Sequence, residues 1–310
     1  MANESSQPRG IGHPPVESEA GRTTSSEFNE QTRVRLEKLR ALRSMGINPY
    51  PDHFERSHQP LDIRTNADLL GETVTTAGRL VGIRRMGRTN FAHIQDSSGR
   101  IQIHMNPEGV GEDGLGFFND YFDLGDIIGV RGKPFVTRTG ETTIGTESFQ
   151  MLAKALRPLP DKHHGLTNDE LRYRRRYLEL IANPDTRDRF VTRTKIVKGV
   201  RNFLDAHDFM EVDTPVLQPD PSGATAKPFV THHNALDQDL FLRIAPETYL
   251  KRLIIGGFDR VYEMGRIFRN ENIDPSHLQD FTMLEFYASY WNADRSLKFT
   301  EALLRSTAQA

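Results

Sequence analysis

Between Arg260 and Tyr290 two apolar, ring-rich stretches flank one turn-rich stretch, and this pattern restricts the fold more than any other in the chain. Arg260–Arg269 carries Val, Tyr, Ile and Phe, Asn270–Gln279 carries Asn, Asp, Pro and Ser, and Asp280–Tyr290 returns to aromatic and apolar residues. The reading is strand, loop, strand. Because side chains alternate along a strand, Val261, Glu263, Gly265, Ile267 and Arg269 share a face of the first strand. Phe281, Met283, Glu285 and Tyr287 share one of the second. A ring and a carboxylate four residues apart stand roughly 13 Å from each other on such a strand. With Arg269 alongside, that surface suits a ligand with a base, a phosphate and a cation. An Arg and a Glu on adjacent strands also make ordinary cross-strand ion pairs, and periodicity alone leaves both readings open.

A chain of 310 residues has room for about two domains. Its net charge of −2 gives no bulk argument for nucleic acid, so any RNA contact must come from local patches. With no cysteine, disulfides, thiol catalysis and Cys-based zinc sites are excluded, which fits a reducing cytoplasm. No run reaches membrane-spanning length. Met1–Ser26 reads as a disordered tail without the apolar core of a secretory signal, and Glu4, Glu17 and Glu19 argue against a mitochondrial presequence.

Glu27–Met45 has helical spacing through Val34, Leu36, Leu39 and Leu42, with Gly46 as its stop. Arg33, Arg35, Lys38, Arg40 and Arg43 form a basic ridge on it, either a solvated face or an RNA contact. Thr73–Leu156 reads as five strands: Thr73–Arg84, Asn90–Asp96, Ile101–Met105, Ile127–Val136 and Glu141–Leu156. A helix is predicted at Glu112–Phe122. Five strands with that insertion suggest an OB-fold barrel. Phe91, two residues from His93, either faces outward with Gln102, where rings stack on unpaired bases, or fills the barrel core. Arg84, Arg85 and Arg88 are candidates for phosphate contacts. Arg157–Asn183 reads as a linker in which Arg172, Arg174, Arg175 and Arg176 cluster, as a solvated helix end or as an RNA-backbone contact. His163 and His164 are adjacent, so their side chains diverge and make no metal site.

Pro184–His207 predicts a long helix with Pro184 at its start and Phe190, Val197, Val200 and Leu204 as its apolar stripe. A strand follows at Phe209–Val212, then Pro215. Pro221–Ala226 is a small-residue loop, Leu240–Ile244 a strand, and Thr248–Ile255 a helix preceded by Glu247, a natural dipole partner. Asn292 predicts the cap of a last helix packed through Leu297, Leu303 and Leu304.

Several stretches together carry a resemblance. FRNE at Phe268–Glu271, then His277 and FTMLE at Phe281–Glu285, resembles motif 2 of the class II aminoacyl-tRNA synthetases, the lysyl-tRNA synthetases in particular. LRIAPETYLKRLIIGGFDRVYEMGRIFRNE runs close to the same family. PLPDKHHGL with RYRRRYLELIAN resembles its hinge, and the long helix, strand and Pro215 resemble motif 1, which builds the dimer interface. The resemblance covers Glu27 to about Leu304. It implies an α+β fold: an N-terminal OB-fold β-barrel plus a partial class II synthetase antiparallel sheet flanked by helices. The implied domains are a tail at 1–26, a helical segment at 27–70, an anticodon-binding barrel at 71–156, a hinge at 157–183 and a partial catalytic domain at 184–310.

Carried over position by position, the resemblance makes Arg269 the arginine holding the α-phosphate and the amino-acid carboxylate. Glu271 becomes the partner of the adenine amino group, His277 that of the outer phosphates, and Phe281 the ring under adenine. Gly223, Glu247, Glu285 and Tyr287 become lysine ligands: Gly223 lies near the bound amino acid, Glu247 at the α-ammonium, and Glu285 with Tyr287 at the ε-ammonium. Phe91 and Gln102 become readers of the central anticodon base, with Arg84 beside them. Leu278 and Asn272 depart from the family's Asn and Gly. The implied function is ATP-dependent activation of lysine and its transfer to tRNA(Lys) by a cytoplasmic homodimer joined through Pro184–Pro215. Motif 3 and the acidic ligands of Mg²⁺ are not found here, so no metal ligands are assigned within this chain and the Mg²⁺ ligands are expected beyond residue 310. On that ground the chain alone is expected to be poorly active, and the alternative is a non-catalytic tRNA-binding or regulatory paralogue or an inactive fragment.

Overall fold

The computed structural model describes residues 25–160, 168–272, 274 and 276–309. They form two compact units, divided between Ala182 and Asn183. The tail expected at Met1–Ser26 lies outside the described residues except for Ser25 and Ser26, which open a helix, and His163 and His164 also lie outside them.

The first unit contains α1 (Ser25–Ser44), α2 (Pro60–Thr65), a 3₁₀ turn at Ala67–Leu69, β1 (Val74–Met86), β2 (Thr89–Gln95), β3 (Arg100–Met105), α3 (Pro107–Tyr121), β4 (Ile127–Val136), β5 (Thr142–Ala153), α4 (Asp169–Arg174) and α5 (Arg176–Ala182). The five strands close a barrel in the order β1-β2-β3-β5-β4. β3 and β5 run parallel, and the other pairs are antiparallel. Inside, Leu80, Ile94, Ile101, Ile103, Ile128 and Ile144 meet Phe118 and Phe122 at the α3 end. Burial of those apolar surfaces is the main stabilising term. α3 begins earlier than the expected Glu112: Asn106 caps it by accepting from Gly109 N–H (3.0 Å), and Pro107 fits its first turn. Gly111, at φ +77°, then kinks it.

The basic ridge on α1 is incomplete. Arg35 is buried, donating to the carbonyls of Ala155, Arg157 and Leu124. Lys38 pairs with Asp123 at 2.8 Å, while Arg33, Arg40 and Arg43 are exposed. Arg35 thus helps fix α1 to the barrel, because five guanidinium hydrogens can satisfy several carbonyls at once. In the arginine cluster, Arg172 pairs with Asp169 and Glu179, Arg174 with Glu170, and Arg176 lies 4.7 Å over the Tyr173 ring.

The second unit contains α6 (Pro184–Asp205), β6 (Met210–Glu211), β7 (Leu217–Gln218), β8 (Val230–His233), β9 (Gln238–Leu242), α7 (Glu247–Ile255), β10 (Arg260–Phe268), β11 (Asp280–Ala288) and α8 (Ala293–Ala308). One sheet has the order β11-β10-β6, the other β7-β9-β8. β10 and β11 are antiparallel as expected, but β6 joins β10 in parallel. Leu204, Phe209 and Tyr262 form the core with Val200, Phe286, Trp291 and Phe299 around them. Phe209 stacks on Phe299 at 5.2 Å. The expected stripe of α6 packs only at its C-terminal end: Leu204 is buried, while Phe190 is exposed. Asn292 caps α8, accepting from Arg295 N–H at 3.0 Å. Of the three leucines expected beneath α8 only Leu303 is buried; Leu297 and Leu304 face solvent, and Phe299 takes the packing role. No helix among the described residues is long and apolar enough to cross a membrane.

Candidate functional site

In the second unit the strand register sets the site. Val261 pairs with Tyr287, Glu263 with Glu285, Gly265 with Met283 and Ile267 with Phe281, so the two predicted faces form one surface. Arg269 follows directly after β10, anchored by its N–H donating to the Gln279 carbonyl (2.9 Å). Its guanidinium carbon lies 5.3 Å from the Phe281 ring centroid, within cation–π range. Its Nε is buried without a hydrogen-bond partner among the described residues. A buried, unpaired guanidinium N–H is costly unless a ligand accepts from it.

Further along the same face the Tyr287 hydroxyl donates to Glu285 Oε2 at 3.2 Å. Burial pushes the Glu285 carboxyl above its ordinary range; the Tyr287 hydrogen bond opposes this, Glu247 and Glu263 add to it, and Arg269 draws it down. Burial, followed by Glu285 and Glu247, also raises the Tyr287 hydroxyl. Burial and the neighbouring carboxylates together outweigh Arg269 at Glu285, so a further cation placed there would favour its ionised form. Glu247 opens α7 and pairs with Lys251 one turn on, whose Nζ lies 5.9 Å over the Tyr287 ring. Gly223 has φ +88°, and a Cβ there would come within 2.9 Å of Glu247 Cβ and 3.0 Å of Ala245 Cβ. Only glycine lets that loop lie so close to Glu247.

Glu271 and His277 lie apart from this surface, on the wall of a cavity of about 790 Å³ shared with Lys227, Asn270, Asn272, Asp274 and Ile244. The two regions meet near Ile244, whose carbonyl stands 3.5 Å from Arg269 Nη2. Leu278 is exposed.

The raised Glu285 carboxyl gives a test with a worked sign. The folded chain holds this proton more tightly than the unfolded chain, so stability falls as pH rises through the folded-state pKa. Glu285→Gln should therefore raise the apo-protein Tm at neutral pH, where the half-buried charge of Glu285 is otherwise present. Thermal denaturation of both proteins from acid to neutral pH checks this.

In the first unit β2 alternates in burial, with Asn90, Ala92 and Ile94 inward and Phe91 and His93 outward. Phe91 is therefore on the outer barrel face, not in the core. It stacks on His104 at 4.7 Å, and His104 meets Phe135 edge-on at 6.0 Å. Burial pulls the His104 ring below its ordinary pKa. Gln102 faces outward beside His93: its amide nitrogen donates to Glu141 Oε2 (2.9 Å), and its oxygen accepts from Thr143 (2.7 Å). Arg84 is exposed and lies opposite Phe91 in register, while Arg85 donates to Asn119 and Arg88 pairs with Glu112.

Sequence reasoning missed Arg243. It is buried and paired with Glu263, donates to Thr214 Oγ1 and to the Thr214 carbonyl (both 3.1 Å), and donates through Nε to the Arg266 carbonyl (2.8 Å). Thr214 completes the group by donating to Glu263 Oε2 at 2.6 Å. A Cβ on Gly265 would overlap the Arg243 guanidinium. The available signals were a lone arginine within the apolar LFLRIA run and a glycine inside a strand, which marks a close approach.

Two family models match this chain: the OB-fold nucleic acid binding domain over residues 74–159, and the class II tRNA synthetases (D, K and N) over residues 168–310. Among curated relatives, the lysine–tRNA ligase of Carboxydothermus hydrogenoformans is 52% identical over 284 residues, covering 91% of this chain and 58% of that protein. That of Aquifex aeolicus is 58% identical over 228 residues, covering 74% and 38%, and that of Bacillus subtilis is 48% identical over 291 residues, covering 91% and 58%. The chain thus spans less than two thirds of the length of these relatives. With an OB barrel followed by the matched synthetase region, this chain belongs to the class II tRNA synthetase family.

Proposed function

We propose that this chain carries the anticodon-binding barrel and part of the activation site of a lysine–tRNA ligase, working in the cytoplasm. The observation that carries the reading is the β10–β11 face: a guanidinium whose buried Nε is unpaired among the described residues beside Phe281, and a half-buried carboxylate, Glu285, hydrogen-bonded to Tyr287 farther along. In the first step the lysine carboxylate attacks the α-phosphorus of ATP. A P–O bond forms, the bond to pyrophosphate breaks, and lysyl-adenylate remains. In the second, the 3′-terminal ribose hydroxyl of tRNA(Lys) attacks the acyl carbon and AMP leaves.

Arg269 is planar and forks onto both the carboxylate and the α-phosphate, where negative charge builds in the transition state. Phe281 supplies the stacking surface for adenine, Glu271 accepts from its amino group, and His277 faces the outer phosphates. Glu285 and Tyr287 take the lysine ε-ammonium and Glu247 the α-ammonium, in exchange for Lys251. Gly223 lets the backbone approach the amino acid. Two carboxylates at this end favour a dibasic substrate over aspartate. Among the described residues no three His, Asp or Glu side chains converge on a metal position, and no step is assigned to Mg²⁺. Homodimerisation through Pro184–Pro215 is supported by the apolar side chains exposed there, among them Phe190, Val191, Ile196 and Met210. Nothing in the geometry favours the non-catalytic alternative.

Lysine-dependent ATP–pyrophosphate exchange, with aspartate and asparagine as controls, tests the activation step in the whole protein. Exchange with aspartate and none with lysine would overturn the assignment. For the barrel, Phe91→Ala should weaken binding of a tRNA(Lys) anticodon hairpin by about ten- to a hundredfold, the usual cost of losing one base stack, and leave exchange unchanged. Equal loss of both would contradict a barrel that acts separately from the activation site.

A further inference from the structure

Asp274 organises the turn that carries His277. Its Oδ1 accepts the backbone N–H groups of Ser276 (2.7 Å) and His277 (3.0 Å), and its Oδ2 lies 2.5 Å from His277 Nδ1. The Ser276 N–H, followed by the His277 side chain, holds the Asp274 carboxyl below the usual carboxylate range. An ionised carboxylate only accepts hydrogen bonds, so Nδ1 must carry the hydrogen. On a neutral ring this leaves Nε2 as a bare lone pair. Phosphate oxygens also accept, so a neutral His277 in this tautomer has nothing to donate to them. The other charged side chains on the cavity wall are Glu271 and Lys227.

We infer that Asp274 is a positioning residue that fixes His277 in its Nδ1–H tautomer, so that the ring takes a proton from solvent onto Nε2 when the outer phosphates of a nucleoside triphosphate bind. The resulting imidazolium donates to Asp274 through one nitrogen and to a phosphate oxygen through the other. The inference rests on the reading of His277 as the phosphate-facing group. It makes triphosphate binding proton-coupled through a residue that need not touch the ligand.

The test combines nitrogen NMR of the His277 ring with calorimetry of ATP binding in buffers of different ionisation heat, at a pH where the free ring is neutral. The wild-type protein should show the Nδ1–H tautomer and take up about one proton per ATP. Asp274→Asn keeps an oxygen for the two backbone N–H groups but turns an NH₂ toward Nδ1. The ring should then become Nε2–H, donate to phosphate directly, bind ATP within about tenfold of wild type and take up almost no proton. A merely structural turn would leave the tautomer and the uptake unaltered in Asp274→Asn, and either result overturns the inference. Unchanged ATP affinity in His277→Ala would overturn the phosphate-facing reading itself, and this inference with it.

Discussion

Arg269→Ala should lower lysine-dependent ATP–pyrophosphate exchange by about a hundred- to a thousandfold, the range for removing one preorganised donor from a transition state. The geometry gives a reason beyond charge. Among the described residues the Arg269 side chain makes one long hydrogen bond, 3.5 Å to the Ile244 carbonyl, lies over the Phe281 ring, and keeps Nε buried and unpaired. Removing it should therefore cost little folding stability, and the Tm should stay within a few degrees of wild type. Arg269→Lys should not restore the rate, because an ammonium cannot bridge carboxylate and phosphate as a planar fork does. Steady-state exchange and thermal denaturation on the same preparations check the pair. Loss of folding in parallel with loss of rate would mean that the side chain holds the structure together instead of serving the reaction.

Arg243→Met should have the opposite signature, destabilising the second unit by about 3–5 kcal/mol because Glu263 is left as a buried carboxylate without its cation. Among the described residues, Thr214 is then the remaining side-chain donor to Glu263. The transition of that unit should fall by roughly 10 °C or more. Adding Glu263→Gln should recover part of the loss, since removing both charges is far less costly than stranding one. Thermal unfolding of the two single variants and the double variant closes the cycle. Full additivity of the two single losses would show that the charges do not act as a pair.

The strand pattern was open to reading because alternation is local. Residues two apart share a face whatever the rest of the molecule does, so Glu285 and Tyr287 could be placed together before any coordinates, and the register with β10 then set Glu263 opposite Glu285. Alternation does not say which face points inward. For β2 the sequence left Phe91 between core and surface, and the choice depended on Ile94 joining the barrel interior with Ile101 and Ile103. Arg35 was misplaced because its acceptors lie about a hundred residues away in sequence, at Leu124, Ala155 and Arg157. Arg243 was overlooked because its partners, Thr214, Glu263 and Arg266, lie on other elements 20 to 29 residues away. Leu297 and Leu304 satisfied a helical apolar spacing, but the packing position of α8 is filled by Phe299 against Phe209. Periodicity finds an apolar face and does not decide what meets it. The roles of Glu271 and His277 came only from the family, since no spacing rule reaches across an irregular loop.

The strict inside–outside alternation of β2 limits how the barrel can change over time. Deleting or inserting one residue between Thr89 and Ile94 would shift the pleat by one position, turning Phe91 and His93 inward and Ile94 out to water. The barrel exterior can thus be retuned by exchanging side chains but hardly by altering strand length. Lineages that diverge in what this face binds should keep the spacing between Phe91 and Gln102 while varying the residues that surround them.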